Sequence, residues 1–259
     1  MNDVTNDPNL ISQFGAQFEQ MGESSVVVTT TPPASDEVTL PGGFLNKDGV
    51  LVKTAKVREL NGADEEAIFT AGKKALETVL SRGLVELGNA KATSADLDDL
   101  LSGDRDAILL AIRTVTFGKD VEVKTVCQSC SLEQDLELDI EKDIPIVELD
   151  NPVEGRSFTV DAKVGEVVLN LPNGITQKRI TEALDKSPAE IVTALLSGCV
   201  ASVNGSPSMG KATALGLSIS DRELLVDELS KRNPGPRLGE VTKACKACGY
   251  EIYLSLIHI

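Results

Sequence analysis

Four of the five cysteines stand in two Cys-x-x-Cys pairs, Cys127/Cys130 and Cys245/Cys248. One such turn presents two thiolates at the separation of two corners of a tetrahedron, so two pairs supply the four soft ligands that a zinc ion takes. The long gap of 114 residues between the pairs is not that of a compact zinc ribbon. Four cysteines fill the coordination sphere and leave no place for a reactive water, so the expected site is structural. A thiol-redox pair is the competing chemistry. Such a pair sits where a strand runs into a helix, because the helix N-terminus lowers a thiol pKa. Both pairs here fall between stretches that read as strands, which favours the metal. Cys199 lies on the apolar side of a predicted helix and reads as a small buried hydrophobe rather than a fifth ligand.

Other chemistry is sparse. The one histidine is His258, which removes histidine-dependent triads and histidine-ligated catalytic metals. Gly205-Ser-Pro-Ser-Met-Gly210-Lys211-Ala resembles a phosphate-binding loop but lacks the hydroxyl residue after the lysine, and reads as a loop. Asp96, Asp98, Asp99 and Asp104 do not have calcium-loop spacing and read as solvated helix-start residues. No enzyme is expected. The net charge of −15 argues against a nucleic-acid surface and against docking on anionic lipid. The expectation is of no membrane span and no secretory signal, and the odd cysteine count fits a reducing compartment.

The elements that must position the cysteines follow from apolar spacing. Residues 1–37 are poor in core material and read as a disordered or partner-docking tail, with Leu10, Ile11, Phe14, Phe18 and Met21 at near-helical spacing. Val50–Leu60 reads as extended. A helical stretch then carries Ile68, Leu76, Val79, Leu80 and Leu84 on one side, and after a polar loop a second helix runs from about Asp104 to Thr116, stopped by Gly118. Alternating residues on either side of Cys127/Cys130 predict a hairpin with one apolar and one acidic face. The order then recurs: alternating runs at Phe158–Val164 and Val167–Leu171, a helix with Ile180 and Leu184, a helix capped by Ser187, a helix opened by Ser220-Asp221-Arg222-Glu223, and the second cysteine pair. Asp104 lies 23 residues before Cys127, and Asp221 lies 24 before Cys245. Leu80-Ser81 and Leu196-Ser197 keep the same relation to those aspartates. We read an internal duplication. The expected fold is α+β: two duplicated lobes, 38–147 and 155–253, joined by a linker at 148–154. Each has strands, two helices and a Cys-x-x-Cys hairpin, and the two meet at one four-cysteine zinc site.

The string Gly103-Asp-Arg-Asp-Ala-Ile-Leu-Leu-Ala-Ile-Arg113, then Phe117-Gly118, then Cys127-Gln-Ser-Cys130, resembles the phage baseplate hub assembly protein family typified by T-even phages. The resemblance spans about residues 38–253. It implies a phage tail component or assembly factor whose partners are other tail or baseplate proteins, located in the host cytoplasm during assembly or in the virion. It carries over to Cys127, Cys130, Cys245 and Cys248 as metal ligands, and to Asp104, Arg105, Arg113 and Gly118 as structural residues. The alternatives are a cellular zinc-stabilised adaptor and a thiol-redox protein. Finally, Leu254-Ser-Leu-Ile-His-Ile259 resembles the translation of a transposon-end adaptor from sequencing libraries, so residues 254–259 are expected to be an artefactual tail in place of the natural sequence after Tyr253; the rival reading is a natural apolar strand, since Leu254, Leu256 and Ile257 would suit the hairpin after Cys248.

Overall fold

The structure is a computed structural model that describes residues 36–254. The amphipathic pattern from Leu10 to Met21 and the adaptor-like residues after Leu254 lie outside the described residues. The fold is mixed α+β, with several small antiparallel sheets.

Strands β1 (Glu37–Leu45) and β2 (Leu51–Val57) form a hairpin whose turn is closed by the Asn46 side chain, which accepts from the backbone N–H of Asp48 and Val50. Helix α1 (Gly62–Thr70) starts at Asn61, which forms a reciprocal cap with Asp64. Arg58 and Arg82 clamp the buried Asp64 carboxylate at 2.8 and 3.1 Å. Helix α2 (Ala75–Gly83) leads into a short hairpin, β3 (Leu84–Leu87) and β4 (Ala90–Lys91), which completes a sheet of order β1-β2-β3-β4. Helix α3 (Ser94–Asp99) and the long α4 (Ser102–Phe117) follow. Leu40, Val57, Leu80, Leu84, Ile108 and Ile112 are the centre of this first core.

Strands β5 (Asp120–Val126) and β6 (Glu133–Asp139) form the hairpin around the first cysteine pair. A single turn, α5 (Ile140–Asp143), and strand β7 (Ile146–Val147) lead to the second half. There, β8 (Ser157–Ala162) and β9 (Gly165–Asn170) are followed by α6 (Gly174–Glu182) and α7 (Pro188–Cys199). Next come β10 (Val200–Val203), β11 (Ser206–Pro207), α8 (Lys211–Gly216) and α9 (Ile219–Arg232). The sheet order is β11-β10-β9-β8, and a second core gathers Val167, Leu169, Leu196, Cys199, Leu225 and Leu229. Strand β12 (Gly235–Pro236) returns to pair with β7, and β13 (Val241–Ala244) and β14 (Glu251–Leu254) flank the second cysteine pair.

Five expectations change. Among the described residues the first half has five α-helices, α1–α5, and the second four, α6–α9, rather than two each, with a small hairpin among them in each half. Leu84 continues the i, i+4 spacing of Leu80 and so reads as helical, yet its backbone is extended and it pairs with Val57. The stretch after Gly205 is not all loop, because Gly210, at φ 60°, opens α8. The cap of α9 is Ser218, whose side chain accepts from the Asp221 N–H; Ser220 sits in the first turn. Asp104 is not solvated but fully buried.

The halves meet along the N-terminal end of α4. Ser102 N–H donates to Pro172 O at 2.8 Å and Gly174 N–H to Leu100 O at 3.0 Å, with Leu101 bridged to Asn173. Arg105 is buried there: its Nη1 donates to Leu97 O, its Nη2 to Glu77 and its Nε to Gln177 of α6. Lys178, on α6, pairs with Glu77 at 3.3 Å and with Asp98.

Candidate metal centre

The two cysteine turns have the same local construction. In the first, Cys127 N–H donates to Leu132 O and Ser131 N–H to Cys127 O, both at 2.9 Å. In the second, Cys245 N–H donates to Tyr250 O at 2.8 Å and Gly249 N–H to Cys245 O at 3.0 Å. Each closes through a residue in the left-handed region, Ser131 at φ 58° and Gly249 at φ 71°. The strands on either side set these turns at the tips of two hairpins whose apolar faces pack together. Leu136, Leu138, Val241, Ile252 and Leu254 form that third core beneath Cys127 and Cys245. Leu254 is buried and pairs with Val241, so the final described residue is part of the hairpin.

This packing brings together cysteines from opposite ends of the fold. The four sulfurs lie within 4.8 Å of one another. Cys127 Sγ is 3.7 Å from Cys248 Sγ, and Cys130 Sγ is 3.7 Å from Cys245 Sγ. Those distances exclude disulfides, whose sulfurs are about 2.05 Å apart. They match the edge of a tetrahedron with zinc–sulfur bonds of about 2.3 Å, which is about 3.8 Å. All four predicted ligands are therefore in one place and could hold a metal ion. The turns lie between strands, with no helix N-terminus behind either pair, so nothing of the thioredoxin arrangement is present among the described residues.

Hydrogen bonds prepare the site for thiolate. The backbone N–H groups of Cys248 and Ala247 point at Cys245 and, helped by Gln134, bring its thiol down to about 6. A backbone N–H at Leu132 also favours the Cys130 thiolate, but the neighbouring thiols outweigh it and push Cys130 up to about 12. Gln134 is the site residue that the sequence reading missed. Its Nε2 donates to Cys245 Sγ at 3.2 Å and its Oε1 accepts from Lys246 N–H at 2.9 Å, so one buried amide ties the first hairpin to the second turn. The available signal was a polar residue on the inward face of β6, two positions before Leu136. The hairpins are also tied by Lys243 and Asp143 at 2.6 Å.

Asp104, Arg105, Arg113 and Gly118 lie away from the sulfurs and serve the scaffold. Gly42 N–H donates to Asp104 Oδ1 at 2.6 Å, while Oδ2 has no hydrogen-bond partner. Burial pushes the Asp104 carboxyl up to about 7, against the opposing pull of the Gly42 N–H and the Arg156 guanidinium. Arg113 donates to Gly118 O and so closes the C-terminal end of α4. Cys199 is buried in the second core, where desolvation pushes its thiol up to about 12.

A sequence family described as T4 bacteriophage base plate protein matches residues 45–208, more than half of the chain. The match includes the first cysteine pair and stops before the second. No curated protein and no solved structure matches.

Proposed function

We propose that this chain, which belongs to the T4 bacteriophage base plate protein family, is a tail baseplate (hub) component or assembly factor acting through protein–protein contacts rather than catalysis. Its partners in this reading are other tail or baseplate proteins, met in the host cytoplasm or retained in the virion. The family match is the observation that carries it. No helix among the described residues is long and apolar enough to cross a membrane. Disruption of the gene in the phage that carries it tests the reading. The expected result is loss of complete baseplates by electron microscopy, restored by the gene supplied in trans. Normal tails from the disrupted phage would overturn it.

Within that role, Cys127, Cys130, Cys245 and Cys248 hold one structural zinc ion. The 3.7 Å sulfur separations support this. The ion supplies the charge that lets four thiolates coexist, and its binding free energy becomes folding free energy. Purified chain is expected to hold one zinc ion per molecule, and Cys127→Ser to lose both metal and thermal stability. Metal-free chain of unchanged stability would sink this part.

The two halves, 38–147 and 155–253 with a linker between, are copies of one unit in this reading. The support is residue-level. The two sheets share their strand order, and the pairings Val57↔Leu84 and Ala55↔Leu87 correspond to Leu169↔Val200 and Val167↔Val203. Asn61 and Asn173 cap equivalent helices. Gly42 N–H on Asp104 corresponds to Lys163 N–H on Asp221. Arg105 on Leu97 O corresponds to Arg222 on Ala214 O. Each copy brings one half of the metal site.

A further inference from the structure

The contact between the halves uses one receiving face and one docking helix, and the duplication leaves a second of each unused among the described residues. The receiving face belongs to the first half: Glu77 on α2, Leu97 O and Asp98 on α3, and Arg105 on α4. The docking helix is α6, with Gly174, Gln177 and Lys178. By the same correspondence, the second half has a receiving face of Thr193, Ala214 O, Leu215 and Arg222, and the first half has a docking helix, α1, with Gly62, Glu65 and Glu66 in the matching places.

The glycines make the comparison concrete. A Cβ on Gly174 would lie 2.1 Å from Leu97 O and 2.6 Å from Arg105 Nη1, so the close approach of α6 requires glycine. Gly62 stands at the equivalent position of α1, is exposed, and has nothing within 4 Å. The unused receiving face is already formed: Arg222 Nη1 donates to Ala214 O at 2.9 Å, as Arg105 does to Leu97 O. It is open and apolar where the first is covered. Leu215 is 61% and Ile219 78% exposed, and a cavity of about 280 Å³ lies beside Leu215, lined also by Ala183, Lys186, Ala194 and Lys211. Phe69, at the far end of α1, is 90% exposed.

The charges have exchanged sides. In the internal contact the face is acidic, with Glu77 and Asp98, and the helix brings Lys178. On the unused face Thr193 and Leu215 replace both acids; Lys186 and Lys211 stand at the rim with one acid, Glu190, which is held by the Ser187 cap, while α1 brings Glu65 and Glu66. Each pair is complementary within itself and mismatched with the other.

We infer that the contact propagates between molecules: α1 of one copy of this chain docks on the α7–α8–α9 face of a second copy, head to tail. This rests on reading the halves as duplicates. An interface of this kind is heterologous, so it extends into a ring or an open helical array rather than stopping at a symmetric pair. The occupant is a second copy because the docking helix, its glycine and its charges are all on this chain.

Sedimentation velocity of the full zinc-loaded chain over a range of concentrations tests the inference. The sedimentation coefficient is expected to rise with concentration. Gly62→Val, which meets open space within one molecule, is expected to weaken association by about tenfold or more while zinc content and melting temperature stay unchanged. Glu66→Lys is expected to weaken association as well, and adding Leu215→Asp to restore it by rebuilding the Lys178–Asp98 pairing. A chain that stays monomeric throughout, or that associates equally well as Gly62→Val, overturns the inference. Gly174→Val separates this from the duplication reading: lowered stability in a monomeric chain keeps the internal contact and removes only its propagation.

Discussion

A Cβ on Gly103 would lie 1.6 Å from the carbonyl oxygen of Pro234, so the first turn of α4 and the chain leaving α9 touch backbone to backbone. Gly235 faces the same contact from the other side, and its own Cβ would lie 2.6 Å from Gly103 Cα. Gly103→Ala is therefore expected to destabilise the chain by about 3 kcal/mol or more, because both opposing groups are main chain and cannot rotate away. Urea denaturation checks this, with Gly239→Ala, which meets nothing within 4 Å, as the matched control.

The Asp104 carboxyl is held up at about 7 by burial, well above its ordinary value of 3.8. The folded chain therefore binds a proton that the unfolded chain releases. The stability tied to it is full below about pH 4 and is lost as pH rises through about 7. Asp104→Asn keeps an oxygen to accept from Gly42 N–H and cannot ionise. It is expected to remove this pH dependence and to gain stability above pH 7, by up to about 4 kcal/mol. Melting temperatures of the two chains between pH 5 and pH 9 read the effect, and parallel curves would contradict it.

Gln134→Ala removes the donor to Cys245 Sγ and the acceptor for Lys246 N–H together. Outer-shell partners of metal ligands are worth roughly 10–100-fold in affinity, and a loss in that range is expected here. Competition with a chromophoric zinc chelator measures it. Gln134→Glu, which keeps an acceptor but sets a second negative charge beside Cys245 Sγ, is expected to lose at least as much.

Arg105→Met leaves the apolar bulk of the side chain but strips Leu97 O, Gln177 and Glu77 of their donor. Breaking a buried pair of this kind costs about 3–5 kcal/mol. Glu77 keeps Lys178, so the lower end of that range is expected, read as a shift in the urea midpoint.

What could be read from the sequence was whatever repeats at short range. The alternation around Cys127, the stop at Gly118, and the capping at Ser187 all depend on neighbouring residues, and each stands where expected. The hairpin at Leu84–Lys91 was hidden because its four-residue strand carries on a helical spacing. The burial of Asp104 was hidden because it depends on Gly42, 62 positions earlier. The four ligands were legible from their type. The amide of Gln134 that joins their supports was not, because its partners are more than a hundred residues away.

The separation of the half-sites along the chain also sets an order in time. Cys130 leaves the ribosome 115 residues ahead of Cys245, an interval of roughly 6–23 seconds at ordinary rates of synthesis. During it the first hairpin has no second pair to close on, and a captured ion would be held by two sulfurs only. In the zinc reading proposed above, closure of the centre is thus a late event in the life of each molecule. The cluster of four cysteines therefore reports completion: a chain that carries the ion with all four ligands is one whose distant ends have found each other.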